Sequence, residues 1–142
     1  LNHFSKVTAV TPNLPEAESL VGFSIRSAED VSRAGAALLK MLGARAVLLT
    51  QGRGGMTLFQ SDTESAHVDI TGDEEVTDVT GAGDTVMAAF ALGTISQIGM
   101  VNAMRLSNVA AGVVVNKLGA ATCTSDELLE ACLASSLELD SW

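Results

Sequence analysis

The chain has 142 residues, 47% of them hydrophobic, and a formal net charge of −9. That length suits one domain with a real core, and the acidic balance counts against nucleic acid or an anionic membrane as partner, because either would be repelled. No window reads as a membrane-length apolar run or a signal peptide, so a soluble, cytoplasmic chain is expected. In chain order, Val7 to Val10 reads as a short buried strand ended by Thr11-Pro12-Asn13, since Pro cannot donate to a ladder. A short helix follows from about Pro15 to Val21, closed by Gly22. Ser27 with Asp30 gives a capping-box-like start to a helix whose apolar stripe is Val31, Ala34, Leu38 and Leu42, ending at Gly43. The run Ala46 to Thr50 has the pattern of a parallel strand covered on both faces.

Met56 to Gln60 and Ser65 to Ile70 read as paired strands across a polar turn at Ser61 to Glu64, with His67 and Asp69 on a wet face. Three helices are then expected: Gly83 to about Ile98, Val101 to about Asn116, and Ser125 to about Leu137, the last capped by Thr124 and Glu127. The first is apolar all round, which places it in the middle of the molecule. Strands alternating with helices, with one inserted hairpin, make an α/β layered fold. Cys123 and Cys132 have no metal or redox spacing and are expected to be reduced in or near the core; His3 and His67 are too few and too far apart for a metal site.

The chemistry centres on Asp78-Val-Thr-Gly-Ala-Gly-Asp84, followed by an unbroken apolar run from Val86 to Leu92. Gly81, Ala82 and Gly83 let backbone approach a ligand, and a helix starting there aims unpaired N–H groups and a positive dipole end at an anion. Asp84 would repel that anion unless it takes a proton from a group attacking phosphorus. The alternative is a small-residue turn with Asp84 stabilising a helix start. Thr50-Gln-Gly-Arg-Gly-Gly55 follows a buried strand, where α/β sheets place ligand crevices, though a Gly-rich β-turn explains it equally. Asn13 and Glu16 read as a helix cap; an Asn/Glu pair would also be chemically sufficient for a Mg²⁺ that keeps its waters.

Together, Asp78 with Gly81-Ala82-Gly83-Asp84 and the small residues Ala88 and Ala89 resemble the C-terminal signature of the ribokinase-like (PfkB) carbohydrate kinases. The resemblance runs from about Phe4 to Leu133 and corresponds to the C-terminal, nucleotide-binding half of such a kinase. It implies a layered α/β/α ribokinase-like fold, C-terminal portion only, with a mostly parallel sheet, an inserted hairpin and flanking helices. The N-terminal half, with most of the sugar site and the lid, is absent from this sequence, which starts at Leu1 without Met and reads as a piece of a longer protein.

The resemblance implies ATP, Mg²⁺ and a sugar or sugar phosphate as ligands. Asp84 would be the general base, with Gly81, Ala82 and Gly83 forming the anion hole. Thr50, Gly52 and Gly55 would line the nucleotide phosphates, Asn13 and Glu16 would organise Mg²⁺, and Asn108 would border adenine or ribose. Asp78 and Thr80, with backbone near Val114, Lys117 and Gly119, resemble a site for a monovalent cation such as K⁺; Cys123 falls where other members have a small hydroxyl residue. The wording of Thr11 to Glu18, Asp78 to Asp84 and Lys117 to Thr122 looks most like the bacterial heptose-7-phosphate kinases. Alternatives are a kinase for ribose, fructose or adenosine, or a non-catalytic nucleotide-binding or scaffold relative. A chain carrying only this half is expected to lack turnover and to self-associate through apolar surface and sheet edge.

Overall fold

A computed structural model describes residues 7–61, 63–71, 81–117 and 121–135. The chain divides into two compact units, Leu1–His67 and Val68–Trp142.

In the first unit, β1 (Ala9–Val10) pairs in parallel with β2 (Ala46–Thr50), β2 pairs antiparallel with β3 (Met56–Gln60), and β4 (Thr63–Val68) completes the order β1-β2-β3-β4. The sheet is therefore mixed, and the parallel pair sits at one end. Between β1 and β2 come α1 (Leu14–Val21) and α2 (Ala28–Leu42). Both are stopped by glycines in the left-handed region, Gly22 at φ 75° and Gly43 at φ 57°. Asn13 and Ser27 cap their starts.

The predicted stripe on α2 is what packs. Ala34, Leu38 and Leu42 join Ala17, Val47, Leu49 and Phe59 in one apolar cluster, with Val31 half-buried at its edge. Leu48 and Leu58, paired across β2 and β3, are also fully buried, as expected of a strand covered on both faces. Gly35 allows α2 its close approach, since a Cβ there would run into the Phe59 ring. β4 starts two residues earlier than the sequence pattern places it, where Gln60 Nε2 donates to Thr63 Oγ1 at 3.0 Å. Its Ala66 and Val68 are half-buried and His67 exposed, the predicted alternation.

In the second unit, α3 (Ala82–Ile95) packs on α4 (Met100–Val115), and α5 (Ser125–Ala134) packs on α4. A Cβ at Gly93 would lie 2.8 Å from Ala103 Cβ, so the α3–α4 crossing is set by a glycine facing an alanine. α3 ends three residues before the expected Ile98: Ser96 N–H turns back to Leu92 O, and Gln97 takes φ 60°. The expectation of a central α3 needs correction. Val86, Ala89, Phe90 and Gly93 are buried, but Met87, Leu92 and Ile95 are 52%, 66% and 77% exposed. An apolar pattern on every face records that each face is suited to burial, and α4 covers only one of them.

Overpacking at the α2–β3 contact gives a first test. Gly35→Ala is expected to lower stability by about 1–3 kcal/mol, read as an earlier urea midpoint with unchanged slope. An unmoved midpoint would mean that the Phe59 ring yields freely.

Candidate functional site

Two sets of candidate residues lie in the described structure, one in each unit. The first is built where β1 and β2 end. Thr50 N–H donates to Pro12 O at 3.0 Å, and Asn13 bridges Thr50 in parallel register. Proline has no N–H, so the ladder stops there and the chain leaves the sheet as α1. Asn13 Oδ1 accepts from Glu16 N–H, and Glu16 Oε2 accepts from Asn13 N–H, both at 2.9 Å. This reciprocal box establishes the cap reading of the pair. It occupies one oxygen of each side chain and leaves Glu16 exposed with its second carboxylate oxygen outside the box. The pair thus fits a hydrated Mg²⁺, which needs few protein ligands. Among the described residues no group of three or more His, Cys, Asp or Glu is placed to hold a metal.

Beside this cap, Thr50 leads into the Gly-rich turn. Gln51 N–H donates to Gly55 O at 2.9 Å, Gly54 N–H to Gln51 O at 3.0 Å and Gly55 N–H to Gly52 O at 3.1 Å. Gly55 sits at φ 74°, ψ −139°, a region that a side chain disfavours. Gly52, Arg53 and Gly54 are exposed, and Gly55 is buried beneath them. Arg53, which the motif reading passed over, puts a guanidinium at the exposed turn. The available signal was its sign: a cation inside a glycine loop of a strongly acidic chain.

The second set opens α3. Gly81 is the N-cap at φ 83°, a conformation glycine adopts without strain, and no side chain caps the helix. Thr85 N–H reaches back to Gly81 O at 3.0 Å and starts the helical ladder. The N–H groups of Ala82, Gly83 and Asp84 precede that bond and have no intrahelical acceptor. Asp84 stands exposed in this first turn. Among the described residues, a Cβ at Gly83 would meet nothing within 4 Å.

Asn108 is 7% exposed in α4, and its amide donates to Asp69 O and to Thr71 Oγ1, both at 2.7 Å. Its NH₂ group is thereby used in holding residues 69–71 against the helix. Gly112 serves the same contact, since a Cβ there would lie 2.5 Å from Thr71 O. Any contact between Asn108 and a nucleotide is left to the Oδ1 atom.

Asp78, Thr80 and Gly119 of the predicted cation site lie outside the described residues. Val114 O accepts from Lys117 N–H at 3.0 Å. Lys117 Nζ donates to Thr122 O at 2.7 Å and to Glu127 Oε1 at 2.6 Å, which ties the segment entering α5 to that helix. Thr124 N–H and Oγ1 donate to the other Glu127 oxygen, at 2.8 and 2.9 Å. The Lys117 ammonium, and then the Thr124 donors, bring the Glu127 carboxyl down from 4.5 to about 2. Cys123 and Cys132 are free and half-buried, and burial pushes both thiols up.

The Glu127 shift carries a pH test. The folded value lies below the unfolded one, so its stabilisation is complete above pH 4.5 and is lost as pH falls towards about 2. Glu127→Gln is expected to lower the melting temperature at neutral pH and to converge with wild type near pH 2. A difference independent of pH would remove the ion pair from the account.

Residues 1–127 match the family model described as pfkB family carbohydrate kinase. Among curated proteins, the chain is 36% identical over 140 residues to "Bifunctional protein HldE" of Pelobacter propionicus, covering 99% of this chain and 28% of that one. It is 41% identical over 122 residues to the protein of the same name from Geobacter sulfurreducens, covering 86% and 25%. The chain thus spans little more than a quarter of the length of these relatives. Among solved structures, a ribokinase of Arabidopsis thaliana complexed with ribose and ATP matches with a TM-score of 0.80 at 28% identity, over 94% of this chain and 41% of that one. Phosphofructokinase-2 from Escherichia coli, in complex with substrates and products, matches with a TM-score of 0.82 over 93% and 42%. At 20% identity this is a likeness of fold.

Proposed function

Because the chain belongs to the pfkB family of carbohydrate kinases, we propose that it is the nucleotide-handling part of an enzyme that moves the γ-phosphoryl group of ATP to a hydroxyl of a sugar or sugar phosphate. The observation that carries this reading is the start of α3: three uncapped amides with an exposed carboxylate among them. In the proposed step, the Asp84 carboxylate takes the proton of the attacking hydroxyl. The new P–O bond forms as the bond to ADP breaks, and ADP leaves with the electron pair. The amides of Ala82, Gly83 and Asp84, with Gly81 setting their direction, meet the charge on the phosphoryl oxygens with dipoles already in place.

The Thr50–Gly55 turn takes the nucleotide phosphates, with Arg53 adding positive charge. Asn13 and Glu16 would hold Mg²⁺, which would supply positive charge against the phosphates when bound. The likeness to proteins named HldE favours heptose 7-phosphate as acceptor among the sugars. An unreactive nucleotide-binding relative is the second reading, favoured by the short span of the chain relative to those proteins.

Calorimetric titration with Mg·ATP tests the site. Gly83→Ala is expected to weaken binding about tenfold or more without lowering the melting temperature, because the added methyl meets no described protein atom and alanine favours the helix over glycine. Asp84→Asn is expected to cut sugar-dependent turnover of the full protein by about 10²–10⁴-fold. A variant keeping most of its turnover would remove Asp84 as base, and a folded chain that takes no nucleotide would favour the second reading.

The exposed Met87, Leu92 and Ile95 support self-association of this chain. Sedimentation is expected to show oligomers that Leu92→Glu disperses; a monomer at high concentration would refute it.

A further inference from the structure

The Gly-rich turn is held by side chains as well as by its own amides. Gln51 Nε2 donates to Thr57 Oγ1 at 2.7 Å, and Thr57 Oγ1 lies 2.9 Å from His67 Nδ1. Thr57, the second residue of β3, is 7% exposed, so its hydroxyl has to be satisfied within the protein. A hydroxyl offers one proton and two acceptor sites. The Gln51 amide donates into its oxygen, and the bond to His67 Nδ1 completes the set, its direction following the ring's tautomer. The chain of bonds links Gln51, Thr57 and His67. It also crosses the sheet, from the end of β2 through β3 to β4. Gln51 is where this line meets the turn: its N–H closes on Gly55 O and its carbonyl accepts from Gly54 N–H. A glycine loop has many accessible backbone states. Fixing both the backbone and the side chain of its first residue restricts which of them the loop visits, before any ligand arrives.

We propose that Thr57 and His67 are positioning residues for the Thr50–Gly55 turn, acting through Gln51 to hold it in the form that takes nucleotide phosphates. The proposal rests on the assignment of that turn to nucleotide. It extends the site by two residues outside the glycine motif, neither of which touches the ligand.

The test separates the ordering of the turn from the binding of nucleotide. Thr57→Val keeps the branched shape and removes the hydroxyl; Thr57→Ser restores it. His67→Leu removes the ring nitrogen, and His67→Asn offers an amide, which can donate or accept, near the place of Nδ1. Amide exchange of Gly54 and Gly55 is followed by NMR against Leu48 and Leu58 as controls within the sheet, and Mg·ATP affinity by calorimetry. Thr57→Val and His67→Leu are expected to speed exchange in the turn about fivefold and to weaken Mg·ATP by about three- to tenfold, the range for one lost neutral hydrogen bond. Thr57→Ser and His67→Asn are expected to stay within about twofold of wild type on both readouts.

Unchanged exchange in Thr57→Val overturns the proposal. So does faster exchange at wild-type affinity, and so does a failure of both conservative variants to restore binding, which would make the effect one of packing. A folded wild type that takes no Mg·ATP removes the nucleotide reading of the turn. The exchange result then decides the ordering role alone: acceleration retains it and its absence overturns it.

Discussion

The parallel pairing of β1 with β2 is the constraint on which the first unit depends. It is short, with Ala46 N–H on Thr8 O at 3.1 Å and Thr50 N–H on Pro12 O at 3.0 Å. Its last bond nevertheless fixes two exits at once. One chain leaves the sheet at Pro12 and turns into α1; the other leaves at Thr50 and becomes the Gly-rich turn. Because the strands are parallel, both exits lie at the same edge of the sheet, the edge at which α/β folds place their ligands. The Asn13–Glu16 cap and the Thr50–Gly55 turn are neighbours for that reason. An antiparallel arrangement of the same two strands would have sent them to opposite ends.

The acidic balance of the chain makes the choice of ligand-holding groups informative. A polyanion such as ATP is repelled by a net charge of −9 at long range. Salt reduces that repulsion beyond about 8–10 Å, and inside that distance local groups decide. The groups that the proposed function assigns to phosphate are mostly backbone amides, at the start of α3 in one unit and in the glycine turn of the other, with Arg53 as an added cation. Backbone dipoles are fixed by the fold and lose no side-chain entropy on binding, whereas flexible lysines would. Amides of this kind would hold phosphate by direction more than by charge, the selectivity that the proposed transfer requires.

Features determined by neighbours in sequence were legible, and features determined by partners far along the chain were not. The caps at Asn13, Ser27 and Thr124 could be read because a cap involves residues three apart. The α2 stripe could be read because helical period and core face coincide. Asn108 could not: a polar residue in mid-helix gives no hint of partners at Asp69 and Thr71. The Gln51–Thr57–His67 line was hidden for the same reason, since it depends on the register of three strands. His67 read as the wet side of β4, and it is exposed there, but one ring nitrogen faces inward to a buried hydroxyl. On α3 the composition announced surfaces suited to burial without saying what covers Met87, Leu92 and Ile95.

Asp84 is the residue that draws attention in the second unit, yet Gly83 discriminates better between a ligand site and an ordinary helix start. An aspartate in a first turn is favourable with no ligand at all, through the helix dipole. A glycine inside a helix is not: it costs up to about 1 kcal/mol against alanine. Elsewhere in the chain such glycines have an internal reason. Gly35 faces the Phe59 ring, Gly93 faces Ala103 and Gly112 faces Thr71. At Gly83 a Cβ would meet nothing within 4 Å among the described residues, and the backbone there is helical, so neither packing against those residues nor a positive φ requires glycine. The proposed function supplies a constraint that the described residues do not, a ligand that needs the space beside the first-turn amides. Under the proposed function Asp84 gains its meaning from that neighbour: beside a bound phosphoryl group its charge would be unfavourable, a cost that removal of a proton would explain.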